Sequence, residues 1–293
     1  MLFCIFNGFK YKDIWIDIFF SFNKIDRVFS PYKFRIKRSK VNYILKFIIF
    51  NMLYAAIHVT ELLIWEHREN LNNEYGYLLY RIVMYYHFFN TFTAMSITDA
   101  LNSRYKFLRS LMTKTFAESE TTVIICQDTK IISIKFTKIK QVFWLLDGIV
   151  QNYNNVFGWP VFFGTIISVI VCLADLNIMT NFANTKNSFD ISVAVINALY
   201  SIIYLLSTIA IVISCDRVEK TARRIVSACY LKPGLLDRTP IRDDIIFFAE
   251  FTEKLIPSFS AAGFFQINQN ILSTLFSAII TYLIIIIQFN LAL

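Results

Sequence analysis

The C-terminal stretch ILSTLFSAIITYLIIIIQFNLAL, residues 271–293, contains 23 residues and no charged side chain. About 20 apolar residues are enough for an α-helix to cross the roughly 30 Å of hydrocarbon in a bilayer. The stretch is therefore predicted to be a membrane-spanning helix. Four similar stretches precede it, at 43–65, 77–99, 156–178 and 191–214. The chain is thus predicted to be an all-α, multi-pass membrane protein with five spans.

The composition and the positions of the basic residues agree with a bilayer as partner. Hydrophobic residues make up 56% of the chain and charged residues 17%, whereas soluble proteins are about a quarter charged. With the N-terminus inside, only Arg68, Arg81 and Lys186 of the 29 Lys and Arg lie on the outer side. This asymmetry follows the positive-inside rule. It predicts the N-terminus inside and the C-terminus outside, and it explains the net charge of +8 without a nucleic-acid partner.

No motif for catalysis, for a cofactor or for a metal ion is found in the sequence. The histidines, His58, His67 and His87, lack the spacing of metal ligands, and the five cysteines include no CxxC pair. We therefore expect no enzymatic activity, no cofactor and no metal site.

The chain divides into two parts. Residues 1–42 are apolar but interrupted by charges, and we interpret them as a cytoplasmic or interfacial segment. Residues 43–293 form the transmembrane domain. Two inner connections, 136–156 and 241–266, have apolar residues at helical spacing. They are predicted to be cytoplasmic helical extensions that pack together.

Two prolines interrupt these helical patterns. Pro160 lies at the start of one predicted span, and Pro257 lies within the second extension. Because proline lacks an N–H and clashes with the preceding turn, each is expected to kink or break its helix near the membrane boundary.

The polar residues of the last helix share one side, which we call the polar face. Steps of four and three residues connect its members, all within about 40° of one direction. Because an unsatisfied polar group in lipid is costly, this face must meet protein or water. Either it holds the helix within the bundle of its own subunit, or it lines a pore formed by several copies, with a glutamine ring and an isoleucine constriction. The polar face consists of Asn270, Thr274, Ser277, Thr281, Ile284 and Gln288.

The same helix carries a specific motif. Thr281 and Tyr282 are followed by five apolar residues and then by Gln288 and Phe289. This resembles the TYhhhhhQF signature of the insect gustatory receptors, which lies in their seventh and last membrane helix. The upstream run 262–268, AGFFQIN, is similar to the AxGxF run that leads into that helix in the family.

The resemblance implies a gustatory receptor subunit, that is, a ligand-gated, non-selective cation channel for small tastants in the cell membrane of sensory neurons. It favours the pore interpretation, with four copies forming a homo- or hetero-tetramer. The five spans correspond to helices three to seven of the family, and the first two helices have no full counterpart. The alternative is therefore a truncated, non-conducting member that assembles with or regulates full-length subunits.

The resemblance also implies a ligand pocket among the outer halves of the membrane helices. Aromatic rings with polar tips occur there and suit sugars or small amphipathic molecules. Ordinary helix packing is the alternative for each residue. Glu61 is expected to be paired with His58 or Arg81, or to be functional. The candidate residues are His58, Glu61, Tyr80, Tyr85, Tyr86, Asn197, Tyr200 and Tyr204.

Two further expectations concern the surroundings of the pore helix. Tyr282 points about 120° away from the polar face, so it is expected to pack or to form a hydrogen bond within the subunit. Four acidic residues precede the helix on the inner side, where they either attract cations or form a solvated face balanced by Arg242 and Lys254. They are Asp243, Asp244, Glu250 and Glu253.

Overall fold

The structure, a computed structural model, describes residues 10–32, 40–65, 74–121, 128–182, 188–231 and 240–292. These residues form seven α-helices, a 3-10 turn after the first helix and one short β-hairpin. In chain order the elements are α1 (Lys12–Phe29), the turn Ser30–Tyr32, α2 (Lys40–Trp65), α3 (Glu74–Thr121), α4 (Asp128–Phe182), α5 (Ser188–Leu231), α6 (Pro240–Glu253), β1 (Ser260–Ala261), β2 (Phe265–Gln266) and α7 (Gln269–Ala292).

Helices cover all five predicted spans, namely α2, α3, α4, α5 and α7, and only Leu293 of these stretches lies outside the described residues. Within the described part of the chain, three helical stretches are long and apolar enough to cross a membrane: Phe136–Ile178, Asn197–Leu231 and Gln269–Gln288. A shorter apolar stretch, Ile44–Thr60, lies in α2. The predicted all-α class is confirmed. The number of spans and their orientation remain predictions.

The two segments predicted as helical extensions contact each other through α4 and α6. The seven apolar residues that recur at helical spacing between 136 and 150 are each at most 5% exposed. Phe136 and Phe143 of α4 contact Phe248 of α6, with ring centroids 5.5 Å and 6.0 Å apart. The contact joins α6, which precedes the last helix, to the longest helix of the protein.

The N-terminal helix α1 is partly buried against the rest of the chain. Its Asp26 carboxylate accepts two hydrogen bonds from the Arg104 guanidinium of α3, at 3.0 Å from Nε and 2.7 Å from Nη2. The same guanidinium lies 4.2 Å from the ring centroid of Phe22. The exposed side of α1 carries both charged residues and large apolar ones, with Phe19 59% and Phe20 65% exposed. The buried residues are Ile18, Phe22, Ile25 and Phe29.

The two prolines have different outcomes. Helix α4 continues through Pro160, so no break occurs there, although the carbonyl of Val156 loses its helical N–H donor. Helix α6 ends at Glu253, shortly before Pro257. Because a residue before proline disfavours the helical conformation, the helix does not resume there.

The prediction that 241–266 is helical throughout was wrong beyond Glu253. A two-stranded antiparallel hairpin follows instead, with Ser260 opposite Gln266. Its turn contains Ala262 with φ of 52° and Gly263 with φ of 83°. Both angles are left-handed, a conformation that glycine adopts freely and that ends any helical continuation. The hairpin therefore reverses the chain just before α7.

Candidate functional site

The polar face of α7 is exposed in the subunit. All six of its residues are exposed, including Ile284 with half of its surface accessible. The other side of the helix is turned toward the protein, because Ile279 is only 8% exposed and Ile271 and Leu272 pack against the main core. Helix α7 thus rests on α4 and α5 through its apolar side, and its polar side points away from them.

The threonine hydroxyl groups of the polar face bond within their own helix. Thr281 Oγ1 donates to the carbonyl oxygen of Ser277 at 2.9 Å, and Thr274 Oγ1 donates to that of Asn270 at 3.4 Å. Among the described residues, no hydrogen bond joins the polar face to another helix. Contacts that would hold α7 to its own bundle through this face are therefore not seen in the described part of the chain.

The expectation that Tyr282 packs within the subunit was wrong. Its side chain is 53% exposed, and it lines an open groove along α7 together with Thr274, Ser277 and Thr281. The large angle between Tyr282 and the polar face does not bury it, because α7 contacts its subunit over one narrow side only. Of the remaining signature residues, Gln288 is exposed and the side chain of Phe289 lies outside the described residues.

A tight contact, which we call the clasp, joins α4 to the hairpin. Asn154 Nδ2 donates to the carbonyl oxygen of Ser258 at 2.9 Å, and its Oδ1 accepts from the backbone N–H of Ser260 at 3.0 Å. One turn further along α4, a Cβ added at Gly158 would lie 2.9 Å from the backbone nitrogen of Ala262. The clasp consists of Asn154 and Gly158 on α4 and residues 258–262 on the hairpin side.

Further contacts connect the hairpin and the start of α7 to the bundle. The ring of Phe264 stacks on Phe162 of α4 with centroids 4.4 Å apart. Asn268 Oδ1 accepts from the backbone N–H of Asn270 at 3.1 Å and so caps the helix. Lys220 Nζ of α5 donates to Gln269 Oε1 at 2.9 Å. The run 262–268, which is similar to the AxGxF run, therefore attaches the start of the last helix to the bundle.

The structure brings several of the predicted ligand residues together. Tyr200 OH and His58 Nδ1 are 3.3 Å apart, and the His58 ring lies 4.1 Å from that of Tyr54. Tyr54 in turn contacts Tyr85 at 5.1 Å. Tyr204 packs in the same cluster and lies 4.8 Å from the ring of His87. We call this group the aromatic cluster: Tyr54, His58, Met84, Tyr85, Tyr200 and Tyr204.

Four other predicted residues are not shown to join the cluster. Tyr86 and Asn197 are half-buried on α3 and α5. Glu61 lies on α2 and Tyr80 on α3, and the side chains of both lie outside the described residues, so the pairing expected for Glu61 is not described either.

Asp175 is a buried carboxylate that the sequence analysis missed. It is 8% exposed and accepts a hydrogen bond from the Ser201 hydroxyl of α5. Val171, one turn earlier on α4, packs against Met84, Tyr200 and Tyr204, so Asp175 lies beside the aromatic cluster. The signal was present in the sequence, since Asp175 is the only Asp, Glu, Lys or Arg in the predicted span 156–178 and charges within spans are costly and usually functional.

Together these features define a helical membrane protein with a partly buried aromatic and polar cluster and a last helix whose polar side its own subunit leaves uncovered. A family model, described as 7tm Chemosensory receptor, matches residues 1–293. The chain therefore belongs to the seven-transmembrane chemosensory receptor family. This confirms the resemblance drawn from the TYhhhhhQF signature and supports a chemoreceptor role. No curated protein is similar enough to count as a match.

Proposed function

We propose that this chemoreceptor chain is a subunit of a ligand-gated, non-selective cation channel that senses small tastants in the cell membrane of sensory neurons. The polar face of α7 lines a pore shared by four copies. One observation carries the proposal: this face is polar along the helix, yet the subunit leaves it exposed. A polar stripe at membrane depth requires protein or water, and a shared water-filled pore supplies both.

The chemistry of the face suits weak selection among monovalent cations. The Thr281 hydroxyl gives its proton to its own helix, so its oxygen keeps lone pairs for a passing ion. Gln288 offers a neutral carbonyl oxygen, and no charged residue lies on the face. Ile284, one turn before Gln288, is the apolar constriction that closes the pore by dewetting.

Cysteine accessibility along α7 tests the proposal. We expect a water-soluble, thiol-reactive cation to block ligand-evoked current in Ser277→Cys, Thr281→Cys and Gln288→Cys. Ile279→Cys, on the buried side of the same helix, is the matched control and is expected to stay unmodified. Whole-cell recording with a panel of sugars and bitter compounds provides the evoked current.

Two results would contradict the proposal. Modification of Ile279→Cys but not of the polar face would place the water-filled path elsewhere. A chain that reaches the cell surface and gives no current alone, yet changes the current of a co-expressed family member, would support the regulatory alternative instead.

The aromatic cluster with Asp175 is the proposed site of ligand binding. Aromatic rings beside a carboxylate recognise amphipathic molecules that carry hydroxyl or ammonium donors. Asp175→Asn keeps the side-chain volume and an acceptor for Ser201 but removes the charge. We expect it to raise the ligand concentration for half-maximal current by about tenfold, the effect of roughly 1.4 kcal/mol.

Two controls separate ligand contact from a folding defect. Ser201→Ala removes the neutral partner of Asp175 and leaves the carboxylate, so a smaller shift is expected. Surface expression of both variants is measured alongside the current. An unchanged concentration dependence in Asp175→Asn would remove this carboxylate from the ligand site.

A further inference from the structure

A small cavity lies between the bundle and the start of α7. Its volume is about 20 Å³, and a cavity needs roughly 10–15 Å³ by the same measure to hold one water molecule. Helices α3, α4 and α5 form its walls, and Ile271 and Leu275 of α7 close it. A Cβ at Gly164 would lie 2.7 Å from His87 Cε1, so the imidazole packs directly on α4 at one edge.

One wall of the cavity carries a hydrogen-bond donor without a protein acceptor. Asn90 lines the cavity, and its Nδ2 atom is buried with no hydrogen-bond partner among the described residues. An unmade hydrogen bond of this kind costs about 1–3 kcal/mol. A buried amide in a folded protein therefore normally has a partner.

The other walls carry two threonine hydroxyl groups that already donate their protons to other groups, so that their oxygens can act as acceptors. Thr165 Oγ1 donates to the carbonyl oxygen of Val161 at 2.8 Å, and Thr208 Oγ1 donates to Ser168 Oγ at 3.3 Å. Each threonine oxygen keeps lone pairs but has no further proton to give. A donor on α3 thus faces acceptors on α4 and α5 across a space that fits one small molecule able to accept and donate at once.

We propose that this cavity binds one ordered water molecule, which accepts a hydrogen bond from Asn90 and donates to the oxygens of Thr165 and Thr208. The water joins three helices of the bundle directly beneath the apolar side of α7. Because Ile271 and Leu275 form the closing wall, any displacement of α7 from the bundle changes the volume around the water. Resting on the proposed function, the water site stabilises the observed position of the pore helix against the bundle.

A double-mutant cycle tests the water bridge without requiring current. Asn90→Leu and Thr165→Val are made singly and together in the full chain, and unfolding is measured in detergent or nanodiscs. A shared water makes the two changes non-additive, with a coupling of about threefold or more in the unfolding equilibrium constant. Asn90→Leu combined with Thr98→Val is the control, since the bonds of Thr98 Oγ1 within the described part of the chain go to the carbonyls of Ala94 and Met95 in its own helix.

A second experiment displaces the water without altering Asn90. Ala94 lines the cavity and is 1% exposed, so Ala94→Leu fills the space, whereas Ala56→Leu on the exposed side of α2 is the matched control. A high-resolution electron-microscopy map that resolves other buried waters should show density beside Asn90 Nδ2 in the native chain and none in Ala94→Leu. Ligand-free current should change several-fold in Ala94→Leu alone.

The outcomes separate the water site from the channel proposal. Additive effects in the cycle, or a map in which Asn90 Nδ2 contacts a protein acceptor and no density lies beside it, would overturn the water site. Density and coupling with unchanged ligand-free current would overturn its role in gating only. A native chain without any evoked current would contradict the proposed function, while the cycle still decides the water site.

Discussion

Helices α4 and α5 differ from α7 in how the subunit covers them, although all three are about equally apolar. Their most apolar windows have mean hydropathies of 2.2, 2.1 and 2.2, yet 44% and 50% of those windows are buried in α4 and α5 and only 6% in α7. Hydropathy therefore does not tell a helix in the middle of a bundle from one at its edge. The positions of the polar groups on each helix distinguish the two cases.

The polar groups of the two regions have different partners. In α4 and α5 they meet each other across the interface, as in the pairs Ser168 with Thr208 and Asp175 with Ser201. In α7 the threonine hydroxyls bond to their own helix and the rest of the polar face is exposed. Polar groups in the bundle thus contribute to packing, and those of α7 are available to water or to another subunit.

The clasp connects these two regions, and Gly158→Ala should break it. The added Cβ would lie 2.9 Å from the backbone nitrogen of Ala262 and 3.3 Å from the carbonyl oxygen of Ser260. Because backbone atoms cannot rotate away, the hairpin must shift. We expect a loss of about 1–3 kcal/mol in the free energy of unfolding, measured as a lower unfolding midpoint in detergent.

Gly148→Ala is the matched control for this substitution. Gly148 lies in the same helix, and a Cβ there meets nothing within 4 Å. Alanine in the middle of a helix is favoured over glycine by roughly 0.5–1 kcal/mol, so the midpoint should rise. Equal effects at both positions would show that the clasp does not constrain the hairpin.

The exposed side of α7 should control conduction. Ile284→Ser replaces the proposed apolar constriction by a hydroxyl, and we expect basal current to rise about tenfold, which corresponds to roughly 1.4 kcal/mol. Gln288→Glu should increase the permeability to divalent cations or the block of the channel by them, since four carboxylates would then meet the ion. Ile286→Ser, about 160° around the helix from both Ile284 and Gln288, is the control and should leave the current unchanged. Unchanged basal current and selectivity in the first two variants would place the pore elsewhere.

Much of the fold follows from local patterns in the sequence. Long apolar runs predict the helices, and the helical spacing of Phe136 and Phe143 predicts their burial against α6. The hairpin was missed because the residues before α7 are as apolar as a helix, and its turn depends on Ala262 and Gly263 with positive φ. A left-handed alanine has no sequence signature of its own.

The candidate site was predictable in one region and less so in the other. Angular spacing along a single helix identifies the polar face of α7. The aromatic cluster depends on which residues of α2, α3 and α5 meet, and Asp175 of α4 lies beside it. Such contacts between helices are not encoded in any one helix. The exposure of Tyr282 was missed for the same reason, because it depends on how little of α7 its neighbours cover.

The same serine-to-alanine change should lower the stability in the bundle, whereas on α7 it should alter the conductance and leave the stability unchanged. Ser168 is fully buried, donates to the carbonyl oxygen of Thr165 at 2.7 Å and is the acceptor for Thr208. Ser168→Ala leaves the Thr208 hydroxyl without its acceptor and should cost about 1 kcal/mol in unfolding free energy. Ser277→Ala on the polar face should leave stability unchanged and alter conductance. A loss of stability in Ser277→Ala would show that the face is covered by protein.

The smallest effect is expected from the acidic residues that precede α7. Glu250 and Glu253 are exposed on α6, and Glu253 Oε2 accepts from Tyr230 OH at 2.5 Å; the side chains of Asp243 and Asp244 lie outside the described residues. If the predicted orientation holds, the exposed pair attracts cations to the inner end of the pore, and neutralising both to glutamine should lower outward current by less than about twofold. The loss should appear at 0.01 M salt, where the screening length is about 30 Å, and vanish at 0.1 M, where it is about 10 Å.

Lys254→Gln should act in the opposite direction. A loss that persists at high salt would point to a structural effect of the Tyr230 contact, and no loss at either salt would leave a solvated helix face as the role of these residues.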